Sequence, residues 1–195
     1  VLFLHGYLSC KESFYYQIEF LSANGFRVTA ADFVGFGKSS PLKEPWDVGD
    51  YAAWTKDFIA ECRLVKPHIV AHSFGGRVAI KLLSLDTTIA DRLVLCGGAG
   101  LVKVRSPQYM RRVKLYRLTK KLFPRYAERH FGSSEYRSLS PIMRESYGVT
   151  PAAEEGETFH RLIKGSRLEI LDGGHFCFSE YPERVNRLIF KFFTE

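Results

Sequence analysis

The sequence has 195 residues, 46% of them hydrophobic, and a formal charge of +7. That length suits one domain with a sizeable core, and that composition excludes a chain too polar to fold. The longest charge-free stretches, such as Leu93 to Val102, are too short for a helix to cross a bilayer, and no basic segment followed by an apolar one marks a secretory leader.

The chain opens inside an apolar run, Val1 to Leu4, which reads as a short strand ending in His5-Gly6. A natural N-terminus rarely begins in a core strand, so further residues are expected upstream. Ser13 to Asn24 reads as a helix stopped by Asn24-Gly25, and Phe26 to Ala30 as a second strand leading into the loop Asp32 to Pro41. Asp50 to Leu64 carries apolar side chains at Tyr51, Trp54, Phe58 and Cys62, a helical spacing. His68 to Ala71 is a third strand, Phe74 to Leu85 a helix, and Arg92 to Cys96 a fourth strand. After an irregular stretch come a helix over Pro151 to Ile163, a fifth strand over Leu168 to Leu171, and a closing helix from Pro182 to Phe193 with proline in its first turn.

Strands that are apolar throughout, alternating with helices, predict an α/β fold: a mostly parallel sheet covered by helices on both faces. Residues 101–146 break the rhythm. They hold 12 Lys/Arg against 3 Asp/Glu, and so carry the whole basic excess of the chain. They read as a helical cap inserted after the fourth strand, which divides the chain into core (1–100), basic cap (101–146) and core again (147–195). The cap admits three readings: attraction of anionic substrates, contact with an anionic membrane, or a solvated helix surface. Its apolar residues fall on two opposite sides of a helical wheel, so the third is favoured and membrane contact is not. Nucleic acid is not expected as a partner, because no recognition motif accompanies the charge.

The four cysteines, at 10, 62, 96 and 177, form no CxxC pair and have no histidine at zinc-site spacing. They read as reduced thiols of a cytoplasmic protein. Cys177, two residues from His175, is a weaker candidate for redox sensitivity. The run Gly35-Phe36-Gly37-Lys38-Ser39 lacks the spacing of a phosphate-binding loop, and no dinucleotide fingerprint is present.

Chemistry concentrates at Ala71-His72-Ser73-Phe74-Gly75-Gly76. Ser73 follows a strand, precedes a helix, and has small residues two positions away on each side. A serine displayed on so sharp a turn needs small neighbours, and the turn aims the helix N-terminus at the reaction centre. Serine is a poor nucleophile until a base takes its proton. His72 is ill placed for that task, since adjacent strand residues point to opposite faces.

Three runs, Phe3-Leu4-His5-Gly6-Tyr7, Ala71 to Gly76 and Asp172-Gly173-Gly174-His175-Phe176, resemble the α/β-hydrolase superfamily in content and order. The loop Asp32 to Ser40 and the capped layout also resemble it, in particular its small, cofactor-free bacterial esterase-like members. Ala71 stands where the first glycine of the nucleophile elbow is usual. The resemblance implies Ser73 as the nucleophile and His175 as general base and then general acid. It implies the backbone N–H groups of Tyr7 and Phe74 as the oxyanion hole, the former held by the His5-Gly6 turn, with His5 itself structural. It implies no metal and no organic cofactor.

The third member of the triad is not found. The family places an acid after the strand before the last one, but Met143 to Pro151 contains neither an apolar run nor an aspartate. About two to three dozen residues, a strand and its connection, are therefore expected to be absent from the chain as read. The other reading is a genuine deletion. Glu154, Glu155 and Glu157 suit the first turns of a helix, and Asp172 suits a turn, so no acid is assigned. The expected function is serine-dependent hydrolysis of a small-molecule carboxylic ester or related acyl compound through an acyl-enzyme. Lactone or C–C bond hydrolysis on the same fold is one alternative, and a non-catalytic binding protein without a complete triad is another.

Overall fold

Four short apolar runs meet in one parallel sheet. The computed structural model describes residues 1–97, 162–171 and 175–195, together with Thr119, Phe123 and His160. The strands are β1 (Leu2–Leu4), β2 (Thr29–Ala30), β3 (Ile69–His72) and β4 (Leu93–Cys96), in the spatial order β2-β1-β3-β4. Register pairs Leu2 with Thr29 and Ile69, Leu4 with Ala71, and His72 with Cys96. The two central strands are buried along their whole length, which is why they are apolar at every position before His72.

The helices are α1 (Tyr15–Ala23), α2 (Val48–Glu61), α3 (Phe74–Leu85), α4 (Cys177–Glu180) and α5 (Pro182–Thr194). Helices α1 and α5 pack together, as do α2 and α3. Side chains alternate between sheet faces. Phe3, Val70 and Cys96 therefore join Phe14 and Leu21 with Phe178, Val185, Ile189 and Phe193 in one core cluster. On α5 the buried positions Val185, Ile189 and Phe193 recur every four residues, one helical face.

Several boundaries differ from the sequence expectation for local reasons. The first helix starts as a 3-10 turn, Lys11–Phe14, before α1. Of the second strand only Thr29–Ala30 reaches the ladder. Helix α2 begins at Val48 because Asp47 caps it: its carboxylate accepts from Gly49 N (2.6 Å) and Asp50 N (3.1 Å), while Asp50 Oδ2 accepts from Asp47 N (2.7 Å). Its buried stripe is Tyr51, Ala52, Thr55 and Ile59; Trp54 and Phe58 stack on each other at its half-buried flank.

The expected fifth strand, Leu168 to Leu171, does not form. A parallel strand needs an inner neighbour to bond to, and among the described residues none lies beyond β4. Leu171 still packs against the core cluster, while Ile170 is 69% exposed.

The chain divides into two compact units. Val1–Leu42, Trp46–Leu101 and Pro151–Glu195 form one, which holds every element above; Lys43–Pro45 and Val102–Thr150 form the other. In the second, Phe123 N–H bonds Thr119 O at 2.7 Å. The expected cap, the 143–151 region, and the helix Pro151 to Ile163 except His160, Leu162 and Ile163 lie outside the described residues. Among the described residues no helix is long and apolar enough to cross a membrane.

Candidate active site

The chain runs from β1 outward to β2, then returns across β1 to build β3 and β4 on the other side. The order thus reverses between β1 and β3. Beyond the C-terminal ends of two such strands the connections diverge and leave a crevice, where ligands bind in open parallel sheets. The residues following those two ends are His5-Gly6-Tyr7 and Ser73-Phe74.

Ser73 stands alone between β3 and α3, half-buried, with φ 48° and ψ −108°. A non-glycine residue held there costs about 1–3 kcal/mol, so the surrounding structure must impose it. It does so from two sides. Ser73 N–H bonds Cys96 O at 3.1 Å, tying the turn to β4. Gly75 lets α3 begin against the end of β1: a Cβ on it would lie 2.6 Å from the Leu4 carbonyl carbon and 2.7 Å from His5 O. Phe74 is the first residue of α3, so its N–H belongs to the unpaired first turn of that helix.

The side chains of the two residues expected to supply the oxyanion hole are in contact. The rings of Tyr7 and Phe74 meet edge to face at 5.5 Å, and both contact Phe36. Ser9 N–H bonds Gly6 O at 3.3 Å and closes the turn that carries Tyr7. Beneath it His5 is fully buried: Nε2 accepts from Phe33 N–H at 3.0 Å, so the proton sits on Nδ1 and is donated to Gly6 O at 2.8 Å. Burial lowers the pKa of His5, and it stays neutral. His5 is thus a buried strut that positions the turn.

His175 is exposed and lies over the end of β4. A Cβ on Gly97, which has φ 54°, would lie 3.1 Å from His175 O and 3.3 Å from its Nδ1, so the ring rests against bare backbone. Ser73 and His175 thus share one end of the sheet, Ser73 following β3 and His175 resting against the residue that follows β4. They are not in direct hydrogen-bond contact; the link between their segments is His72, whose Nε2 lies 2.9 Å from His175 O. His72 points to the face opposite Ala71, as strand alternation requires, and is buried against the rings of Phe176 and Phe178. Burial lowers its pKa to about 4.

Sequence reasoning missed Gly97 and the partner of His72. A glycine pair following the fourth strand was the available signal for the first; for the second there was none. Among the described residues no carboxylate is bonded to His175. Asp172 to Gly174 and Glu154, Glu155 and Glu157 lie outside them.

The described residues hold one group with metal-ligand character, Cys10, Glu12 and Asp32, whose ligand atoms lie within 4.8 Å of one another. Its cationic position is taken by Lys11, whose Nζ is 3.2 Å from Asp32 Oδ2. Asp32 also accepts from Lys11 N (2.7 Å) and Lys38 N (2.8 Å), which fastens the loop after β2 beside His5. Burial opposes the Asp32 charge, but these bonds outweigh it and hold the carboxyl below its usual pKa. All four cysteines are free; burial pushes the Cys96 thiol up to about 12 and raises that of Cys177, which disfavours a reactive thiolate at either.

A family model described as alpha/beta hydrolase fold matches residues 1–148. An AB hydrolase superfamily protein, YisY, of Bacillus subtilis is 29% identical over 113 residues, 56% of this chain and 41% of the relative. A haloalkane dehalogenase of Mycobacterium marinum is 24% identical over 75% of this chain and 50% of its own length. The chain thus spans half or less of these curated relatives. Among solved structures, an esterase from Exiguobacterium antarcticum superposes with a TM-score of 0.74 at 21% identity, over 100% of this chain and 91% of the other.

Proposed function

The chain belongs to the alpha/beta hydrolase fold family, and on that premise we propose that it is a serine hydrolase acting on carboxylic esters or related acyl compounds. The observation that carries the reading is Ser73: a half-buried hydroxyl held at positive φ, between a buried parallel strand and the N-terminus of α3, at the switch point of the sheet. A turn that stores backbone strain to display one hydroxyl is a device for attack on an electrophile.

In the proposed reaction the Ser73 oxygen attacks the acyl carbon while His175 takes its proton. Negative charge gathers on the carbonyl oxygen, where the N–H groups of Phe74 and Tyr7 and the end of α3 stabilise it. Collapse expels the alcohol, which receives the proton from His175, and leaves the acyl group on Ser73. Water, deprotonated by His175, then attacks the acyl carbon; the bond to the Ser73 oxygen breaks, that oxygen regains the proton from His175, and the carboxylic acid leaves. No step calls on a metal or organic cofactor. The basic excess of residues 101–146 lies outside this chemistry and is proposed to be a solvated surface.

A fluorophosphonate probe, which labels activated serines covalently, tests the reading. Labelling of the wild-type chain and its loss in Ser73→Ala are expected, with turnover of short-chain chromogenic esters lost alongside. If the folded wild-type chain is not labelled, the serine-hydrolase reading fails and a pocket protein without catalysis takes its place.

A further inference from the structure

Three loops build this site: the His5-Gly6-Tyr7 turn, the Ser73 elbow, and the loop carrying His175. They come from distant parts of the chain, and one side chain touches all three. His72 precedes Ser73, its Nε2 lies 2.9 Å from His175 O across 103 residues of sequence, and its other edge faces Gly6. A Cβ on Gly6 would lie 2.6 Å from His72 Nδ1 and 3.0 Å from its Cε1, so the imidazole occupies the space a side chain at position 6 would need.

We propose that His72 is a positioning residue: by donating its Nε2 proton to the His175 carbonyl, it sets where the general-base imidazole stands relative to Ser73. The inference rests on the assignment of Ser73 and His175 made above. A carbonyl oxygen only accepts, so the proton of neutral His72 belongs on Nε2. Its Nδ1 is buried without a hydrogen-bond partner and faces Gly6, so this tautomer places no second proton against the backbone. The ring cannot turn to use the other nitrogen. It is 1% exposed and held against the rings of His175 (4.6 Å), Phe176 (4.8 Å) and Phe178 (4.8 Å).

The need for such a device follows from the placement of His175. Its residue is exposed, its ring lies over Gly97 with the rings of His72 (4.6 Å) and Phe176 (5.6 Å) beside it, and among the described residues no carboxylate is bonded to it. Proton transfer requires the base within hydrogen-bond reach of the hydroxyl, and a misplacement of about 1 Å costs rate heavily. The bond ties the His175 backbone to the residue adjacent to Ser73 in the chain.

The test uses the full chain as His72→Gln, which keeps an N–H donor, and His72→Phe, which keeps a buried ring without one. Turnover of p-nitrophenyl acetate, fluorophosphonate labelling and thermal unfolding are measured for both. His72→Phe is expected to lower kcat about tenfold, with KM within about twofold of wild type. His72→Gln should recover at least half of that loss on a logarithmic scale. If His72→Phe is folded and keeps wild-type kcat, or if Gln and Phe are equally impaired at equal melting temperature, the proposal is wrong. Should His72→Phe not fold, His72→Asn, whose shorter amide falls short of the His175 carbonyl, replaces it under the same criteria. Wild-type labelling separates the two levels: its absence overturns the serine-hydrolase reading, whereas labelling that is unaffected by His72→Phe overturns only the role of His72.

Discussion

A single methyl group at position 75 should disable this protein without touching any reacting atom. In the structure a Cβ on Gly75 would sit 2.6 Å from the Leu4 carbonyl carbon and 2.7 Å from His5 O, and closer still to Leu4 O. Carbon and oxygen atoms in favourable contact sit about 3.3 Å apart or more, so α3 and the end of β1 must separate by about 1 Å. Both neighbours are backbone atoms of a fully buried strand, so no flexible side chain can give way. Overpacking of this kind costs about 1–3 kcal/mol, or about 2–12 °C in melting temperature for a chain of this size. The effect on catalysis should be larger. The displaced elements carry Phe74 N–H, Ser73 and the His5-Gly6-Tyr7 turn, and a shift of about 1 Å at such a site costs about a hundredfold in rate. Gly75→Ala is therefore expected to remain folded with a lowered melting temperature, while fluorophosphonate labelling of Ser73 slows about a hundredfold. A variant that labels at the wild-type rate would refute the claim that α3 must begin against β1 for Ser73 to work.

Other perturbations test separate parts of the structure. Gly97→Ala combines a strained φ of 54° with a Cβ 3.1 Å from His175 O, so it should reduce ester turnover by about tenfold or more; unchanged steady-state kinetics would contradict the seat assigned to His175. Asp47→Ala removes the Asp47 side-chain half of the α2 capping box, the bonds from Gly49 N and Asp50 N, and should cost about 1 kcal/mol in chemical denaturation, far from the site and with ester kcat preserved. Acid should destabilise the fold through His72. Its pKa is near 4 in the folded chain against 6.5 for a free histidine, so between those values the unfolded chain binds the extra proton and stability falls with pH, by about 3 kcal/mol over the window. His175 and His5 face the same ring and act in the same direction if they charge. Denaturant titrations from pH 7 to pH 4 should show that slope, reduced by up to one proton in His72→Gln; an identical slope in both proteins would place the linkage elsewhere.

What the sequence determined by itself is the local logic of the fold and of the nucleophile. Buried strands must be apolar throughout, helices that follow them must show a single apolar face, and a serine on a strand-to-helix turn must have small neighbours. Those constraints act within a few residues, so Leu2–Leu4, Ile69–His72, Phe74–Leu85 and Leu93–Cys96 were legible to within a residue or so at each end, along with Ser73 as the position of interest. Tertiary structure decided the rest, because the deciding forces join segments far apart in the chain. Whether Leu168 to Leu171 becomes a strand depends on a neighbour to bond to, which no property of those four residues reveals. The face of α2 that is buried was chosen by the helix packed against it, in favour of Thr55 and Ile59 over Trp54 and Phe58. His72 could be read from its strand as facing away from Ser73, and so as a poor base. Only the folded chain shows that facing away brings it to the carbonyl of His175.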